Sequence, residues 1–437
     1  MDNPASTFWQ RNKLVFKSFF IAFLILALLI PTFFLMYLVN ERKDRKQEVT
    51  VEVSNKWSAS QTISGPFLTV PYADADNKSG WLIILPERLE INGTIVPTIK
   101  SRSIFNVPVY TAEPIILKGS FSHNLGSSSV HPTNIKWSEA KLCVGLSDLK
   151  GLKQQSLKWN EQPLAAHPGI PETNLARQGI SSPLILDSSF LTAQNTFSIE
   201  LRLQGSENLY CTPLGDSTSA HFTSTWSSPA FDGHYLPDTE KVSGNGFEAN
   251  WMISQFNRDY PKIFAGDGGS ASAASVSSFG VKLLAPFDAY AQTLRSLKYA
   301  ILIIALTFFT CFFTELIQKR PVHPLQYILI GISLVIFYAL LLSFSEYIQF
   351  SLAYLIAAAA TIALLSWYAQ SIFKKTKPVI VFGLILTALY GFIYILIQME
   401  DNALLFGSVG LFALIALAMY LSRKIDWYNL GAKPISS

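Results

Sequence analysis

Phe19-Phe-Ile-Ala-Phe-Leu-Ile-Leu-Ala-Leu-Leu-Ile-Pro-Thr-Phe-Phe-Leu-Met-Tyr-Leu-Val39 carries no charged side chain. Hydrocarbon offers the backbone no hydrogen-bonding partner, so a run of about 20 apolar residues crosses a bilayer as a helix. Arg11, Lys13 and Lys17 precede it. A basic flank also suits a secretory signal. However, this run is longer than a signal's apolar region, and Leu38-Val39-Asn40 offers no small-residue cleavage pattern. Residues 19–39 therefore read as a retained anchor, kinked at Pro31 rather than ended by it.

Further apolar runs occupy residues 299–316, 327–344, 350–369, 379–397 and 404–421, built from Leu, Ile, Phe and Ala almost throughout. A central charge costs about 2.5 to 3.5 kcal/mol on insertion scales, and none of these centres carries one. The whole composition agrees. Half of the 437 residues are hydrophobic and 15% are charged, against about 25% in soluble domains. A net charge of +4, spread along the chain, argues against nucleic acid as a partner.

Short loops give direction. Lys319 and Arg320, then Lys374, Lys375 and Lys377, then Arg423, Lys424 and Lys433 alternate with loops that carry Glu346, Glu400 and Asp401 and no basic residue. Basic loops stay in the cytoplasm. Residues 1–18 and 422–437 are thus expected inside, with 40–298 outside. Arg42, Lys43, Arg45 and Lys46 oppose this mildly, interleaved with Glu41, Asp44 and Glu48. Residues 40–56 are expected to continue the anchor helix as a stalk. Beyond them the period is two: Phe197, Ile199, Leu201 and Leu203 alternate with polar residues, as do Leu142, Val144 and Leu146, and Phe247, Ala249, Trp251 and Ile253. Such alternation marks strands with one buried face. Gly65-Pro66, Asn92-Gly93 and Leu236-Pro237 punctuate the runs, while 160–183 and 267–278 read as loops or linkers. The expected fold is a polytopic α-helical membrane protein with a large inserted extracytoplasmic β-rich domain, sandwich-like, with room for two subdomains. Its bundle spans 299–421.

Chemistry is sparse. No phosphate-binding glycine loop, nucleophile elbow or His-Glu-x-x-His helix occurs. His123 and His131 flank a Ser-rich loop, read as solvated. His221, Asp232 and His234 permit a hydrolytic triad to be drawn, as any Ser-rich β domain would. No metal, no cofactor and no enzymatic activity are expected. Cys143 and Cys211 lie on the oxidising side and leave two readings open, a disulfide or two buried thiols. Cys311 lies within a span and cannot join them. Intramembrane ionisable residues often mark function. Glu315 is the candidate, with Thr307, Thr310 and Thr314 on the same run as an intramembrane polar site. Lys319, four residues on, suits a helical ion pair and an interfacial anchoring role.

Lys298-Tyr-Ala-Ile-Leu-Ile-Ile-Ala-Leu-Thr-Phe-Phe309 with Glu315-Leu316, His323-Pro-Leu-Gln-Tyr327 onward, Leu341-Leu-Ser-Phe-Ser-Glu346 and Ile425-Asp-Trp-Tyr428 resemble the CreD (Cet) inner-membrane protein family. Ser64-Gly-Pro66, Leu85-Pro-Glu87, Trp226-Ser-Ser-Pro-Ala-Phe231 and Ser243-Gly-Asn-Gly-Phe247 fit it too. The resemblance implies a Gram-negative inner-membrane protein of envelope integrity, under the CreBC two-component system, with effects on colicin tolerance and β-lactam response. It carries over no catalytic residue or cofactor, and Cys143 and Cys211 are not features of it. The expected partners are the lipid bilayer and a periplasmic or envelope protein or cell-wall component. The alternative is a transporter or lipid-handling protein that uses the C-terminal bundle.

Overall fold

A computed structural model describes residues 13–73, 79–122, 134–171, 173–187, 190, 194–266, 268–283, 289–318, 320–399 and 403–423. The chain divides into two compact units, Lys46–Pro286 and Met1–Arg45 with Phe287–Ser437. Helix α1, Lys13–Trp57, belongs partly to each. It runs unbroken through Pro31, and the Thr32 hydroxyl beside the proline donates to the Leu29 carbonyl at 2.6 Å. Spans tolerate an interior proline, which here withdraws the donor from the Ala27 carbonyl four residues back.

The second unit is built of two mixed sheets. One has ten strands, in the order Pro229–Gly233, Phe279–Leu283, Asn208–Cys211, Gln61–Ala73, Ala140–Leu146, Gly179–Leu184 and His167–Pro168, with three more strands off this path. The other has eight: Thr239–Ser243, Gly246–Ser254, Ser217–Ser224, Arg88–Arg102, Phe105–Phe121, Asn195–Ser206, Leu152–Trp159 and Gln162–Leu164. Along Asn195–Ser206 the alternation is regular, with Phe197, Ile199, Leu201 and Leu203 buried. A single hydrophobic cluster draws on both sheets, from Phe67 and Val144 to Ile115, Leu201 and Trp251. The sequence leaves room for two β subdomains, but residues 46–286 form one unit around one core.

Three local readings change. Gly65-Pro66 and Asn92-Gly93 are not turns between strands. They lie inside the long strands Gln61–Ala73 and Arg88–Arg102, where the register shifts between Ser64 and Phe67 and between Gly93 and Ile95. Bulges accept proline and glycine because a ladder bond is already missing there. Residues 160–183 contribute three short strands, Gln162–Leu164, His167–Pro168 and the start of Gly179–Leu184. The Gly/Ser/Ala-rich stretch near 270 is helix α2, Gly269–Val276, and its Ala271 and Ala274, three apart on one face, join the core.

The remaining helices are α3 Ala289–Lys298, α4 Ala300–Gln318, α5 Pro324–Ser345, α6 Phe350–Phe373, α7 Thr376–Gln398 and α8 Ala403–Ser422. Five helices, α1 from Val15 onward and α4 to α7, are long and apolar enough to cross a membrane; α8 is a further helix of 20 residues without a charge. A Cβ at Gly331 of α5 would lie 2.3 Å from Leu28 of α1 and 3.0 Å from Phe308 of α4. The missing side chain lets three helices meet, as small residues do in lipid, where packing rather than the hydrophobic effect drives association.

Candidate functional site

Glu315 sits near the end of α4 and is 7% exposed. Both carboxylate oxygens are engaged by other helices. Lys17 of α1 donates to Oε1, and the Tyr327 hydroxyl of α5 donates to Oε2 at 2.9 Å. Lys17 also donates to the Val322 carbonyl at 2.7 Å, and its Nζ lies 5.4 Å from the Tyr327 ring centroid. A lone charge inside a membrane is costly, and pairing with hydrogen bonds removes most of that cost. The expected partner, Lys319, lies outside the described residues. The sequence reading missed Lys17 and Tyr327, although Lys17 stands in the basic flank of the anchor.

The threonines do not form one stripe with Glu315. Thr307, Cys311 and Glu315 are buried at successive four-residue steps along one face of α4. Thr310 and Thr314 are half-buried and donate back to Leu306 and Thr310 carbonyls at 2.8 Å each. Thr307 is fully buried, and its hydroxyl has no partner among the described residues.

A second charged contact pins the opposite end of the span. Arg42 Nε lies 3.7 Å from Oε1 of Glu346, and the Tyr290 hydroxyl lies 3.3 Å from the same oxygen. Lys17 and Arg42 are separated by roughly 37 Å of helix, close to the hydrocarbon thickness plus its interfaces. Arg42, which opposes the charge rule in the sequence, thus has an acidic neighbour.

The remaining candidates separate. Cys143 and Cys211 are free and buried. The disulfide reading fails on topology, because their strands flank Gln61–Ala73 on opposite sides: Phe67 faces Cys143 and Ile63 faces Cys211. Two strand spacings amount to roughly 10 Å, beyond the reach of a disulfide. Burial pushes both thiols up to about 12. His221 lies on the eight-stranded sheet with Nδ1 2.7 Å from Asn250 Oδ1, whereas Asp232 lies on the ten-stranded sheet and accepts from the Tyr210 hydroxyl at 3.1 Å. His234 follows the same strand as Asp232 and is exposed. These residues assemble no relay. His123 and His131 lie outside the described residues, and no group of three or more His, Cys, Asp or Glu able to hold a metal occurs among those described.

Two charged clusters of the β unit tie its own segments together. Asp216 pairs with the buried Arg258 and, at 2.8 Å, with Lys262. Arg258 Nη1 donates to the Leu214 carbonyl at 2.7 Å, and Tyr260, pushed up to about 12 by burial, donates to the Pro213 carbonyl at 2.9 Å. Asp148 fastens the exit from α1. Burial alone would raise its carboxyl, but the Ala59 and Lys150 amides and the Ser58 hydroxyl hold it below its ordinary value.

Apolar helices tied together by a buried ion pair, with a two-sheet unit inserted into the chain, define an integral membrane protein of the helical class. A family model described as inner membrane protein CreD matches residues 13–428. Inner membrane protein CreD of Escherichia coli (strain K12) is 30% identical over 417 residues, which are 92% of this chain and 91% of that relative. The chain belongs to the CreD family of inner membrane proteins. Two solved structures of an M1 zinc metallopeptidase from Deinococcus radiodurans have TM-scores of 0.18 and 0.17 at 15% and 13% identity. Each match covers 42% of this chain and 40% of that one, a likeness too low to carry an argument.

Proposed function

We propose a non-enzymatic protein of cell-envelope maintenance, whose β unit lies on the periplasmic side and binds an envelope protein or wall component while the helical unit holds it at the inner membrane. The observation that carries this reading is an exposed apolar corner of the β unit. Leu236, Met252 and Phe256 are 71%, 74% and 90% exposed. Asp238 Oδ2 accepts from the Met252 amide at 2.6 Å, and the Tyr235 hydroxyl donates to the Asn257 carbonyl at 2.8 Å, so the backbone segments that carry the three residues are tied together next to the edge strand Thr239–Ser243. Exposed apolar groups grouped at a sheet edge are what a binding surface needs. The alternative, transport through the bundle, rested on Glu315. Both of its oxygens are occupied by Lys17 and Tyr327, which favours a tie between helices over an ion relay.

Photoreactive side chains placed at Leu236, Met252 and Phe256, with Ile185 as an exposed control, test the proposal in living cells. A discrete adduct from the corner and not from Ile185 is expected. A diffuse smear, equal from all four positions, would remove the binding reading.

A further inference from the structure

We infer that one face of the ten-stranded sheet carries a pocket for a small carboxylate with a ring-sized apolar body, held at Lys141 between Trp81 and His167. A cavity of about 490 Å³ opens there, within the usual range for small-molecule sites. Register places its lining on one face, because residues directly opposite in a ladder share a face, as do residues two apart on a strand. Phe67, Cys143, Ser181 and His167 stand opposite one another across four strands. Thr69, Lys141 and Pro183 form the next row on that face, and Pro71, in the row after it, faces Trp81. Trp81 and His167 thus lie on either side of Lys141, each two strands away, with roughly 12 Å between Cα atoms.

The segment that follows the edge strand His167–Pro168 is pinned at both ends. Ser181 Oγ donates to the Gly169 carbonyl at 2.7 Å, and the Gly169 amide donates to the Gly179 carbonyl at 2.8 Å. Further on, the Asn174 amide donates to the Gly266 carbonyl and the Gly266 amide to the Trp81 carbonyl, at 2.7 Å each. Ile170 and Pro171, between these ties, line the cavity. Pro168, Pro171 and Pro183 bring rigid rings and no amide hydrogen to the lining, so the polar contacts fall to side chains. Lys141 is half-buried, and neither it nor His167 forms an ion pair among the described residues. Glu139, two residues before Lys141, pairs with Lys136 instead. A half-buried ammonium without a counter-charge favours an anion over a neutral ligand of the same shape. Its place midway between the indole and the imidazole leaves room for a ring beside the bound carboxylate.

The test uses the full chain in phosphatidylcholine nanodiscs, with para-fluorobenzoate as the probe and para-fluorobenzamide as its neutral counterpart, read by fluorine NMR line width against empty nanodiscs. The benzoate should broaden and the amide much less. Lys141→Met should weaken benzoate binding about tenfold, the loss of one charge-assisted contact, with the thermal midpoint unchanged, while Lys141→Arg keeps most of the binding. Competition then names the source of the carboxylate: displacement by glucuronate assigns a sugar acid, and displacement by acetylalanine a peptide carboxyl terminus. No broadening beyond empty nanodiscs, or equal broadening of both probes that Lys141→Met leaves unchanged, would overturn the assignment. The cavity shares no residue with the Leu236, Met252 and Phe256 corner, so that result would leave the proposed function standing.

Discussion

Lys17, Glu315 and Tyr327 come from three helices and meet at one carboxylate. Removing one member of a buried pair strands the other charge, at a cost of about 3 kcal/mol, whereas removing both leaves nothing stranded. Lys17→Met and Glu315→Gln should therefore each lower the thermal midpoint of the purified protein by several degrees. The double variant should recover most of the loss. Additive losses would mean that the two residues do not act as a pair. Glu315 itself is legible in the sequence as an intramembrane charge. Its partners are not, because a pair 298 positions apart leaves no spacing signal, whereas a partner four residues along the helix does. The cysteines illustrate the same limit. Two strands can each be recognised without revealing that a third, Gln61–Ala73, lies between them.

At the scale of elements, Asn195–Ser206 and Gly246–Ser254 were readable because each has one buried face. In Gln61–Ala73 an unbroken run from Ile63 to Val70 is buried, so no clean period survives there, and Pro66, like Gly93 in Arg88–Arg102, looks like a break where the register shifts at a bulge. The short edge strands of 160–183 carry too few residues to show a pattern. The apolar helices were the most legible elements, since lipid demands long uncharged runs. Packing within the β unit makes its own prediction. A Cβ at Gly119 would lie 1.8 Å from the Arg88 carbonyl oxygen, a backbone atom of the paired strand. Gly119→Ala must push two bonded strands apart, and should cost about 3 kcal/mol or more in urea unfolding. A change below about 0.5 kcal/mol would mean that the strands are not so closely paired.

At the scale of the whole molecule, the chain is a member of the CreD family with a helical unit and a β-rich unit of separate character. The proposal that function lies in the β unit depends on which side of the membrane that unit faces, and the loop charges argue for the outside. Gly244 is exposed on the turn between Thr239–Ser243 and Gly246–Ser254, Lys375 lies between α6 and α7, and the three native cysteines are buried. Labelling Gly244→Cys and Lys375→Cys separately with a membrane-impermeant maleimide in cells whose outer membrane alone is opened reads the orientation directly. The account predicts label at position 244 and none at 375 until the inner membrane is also breached; label at 375 with protection of 244 would contradict it.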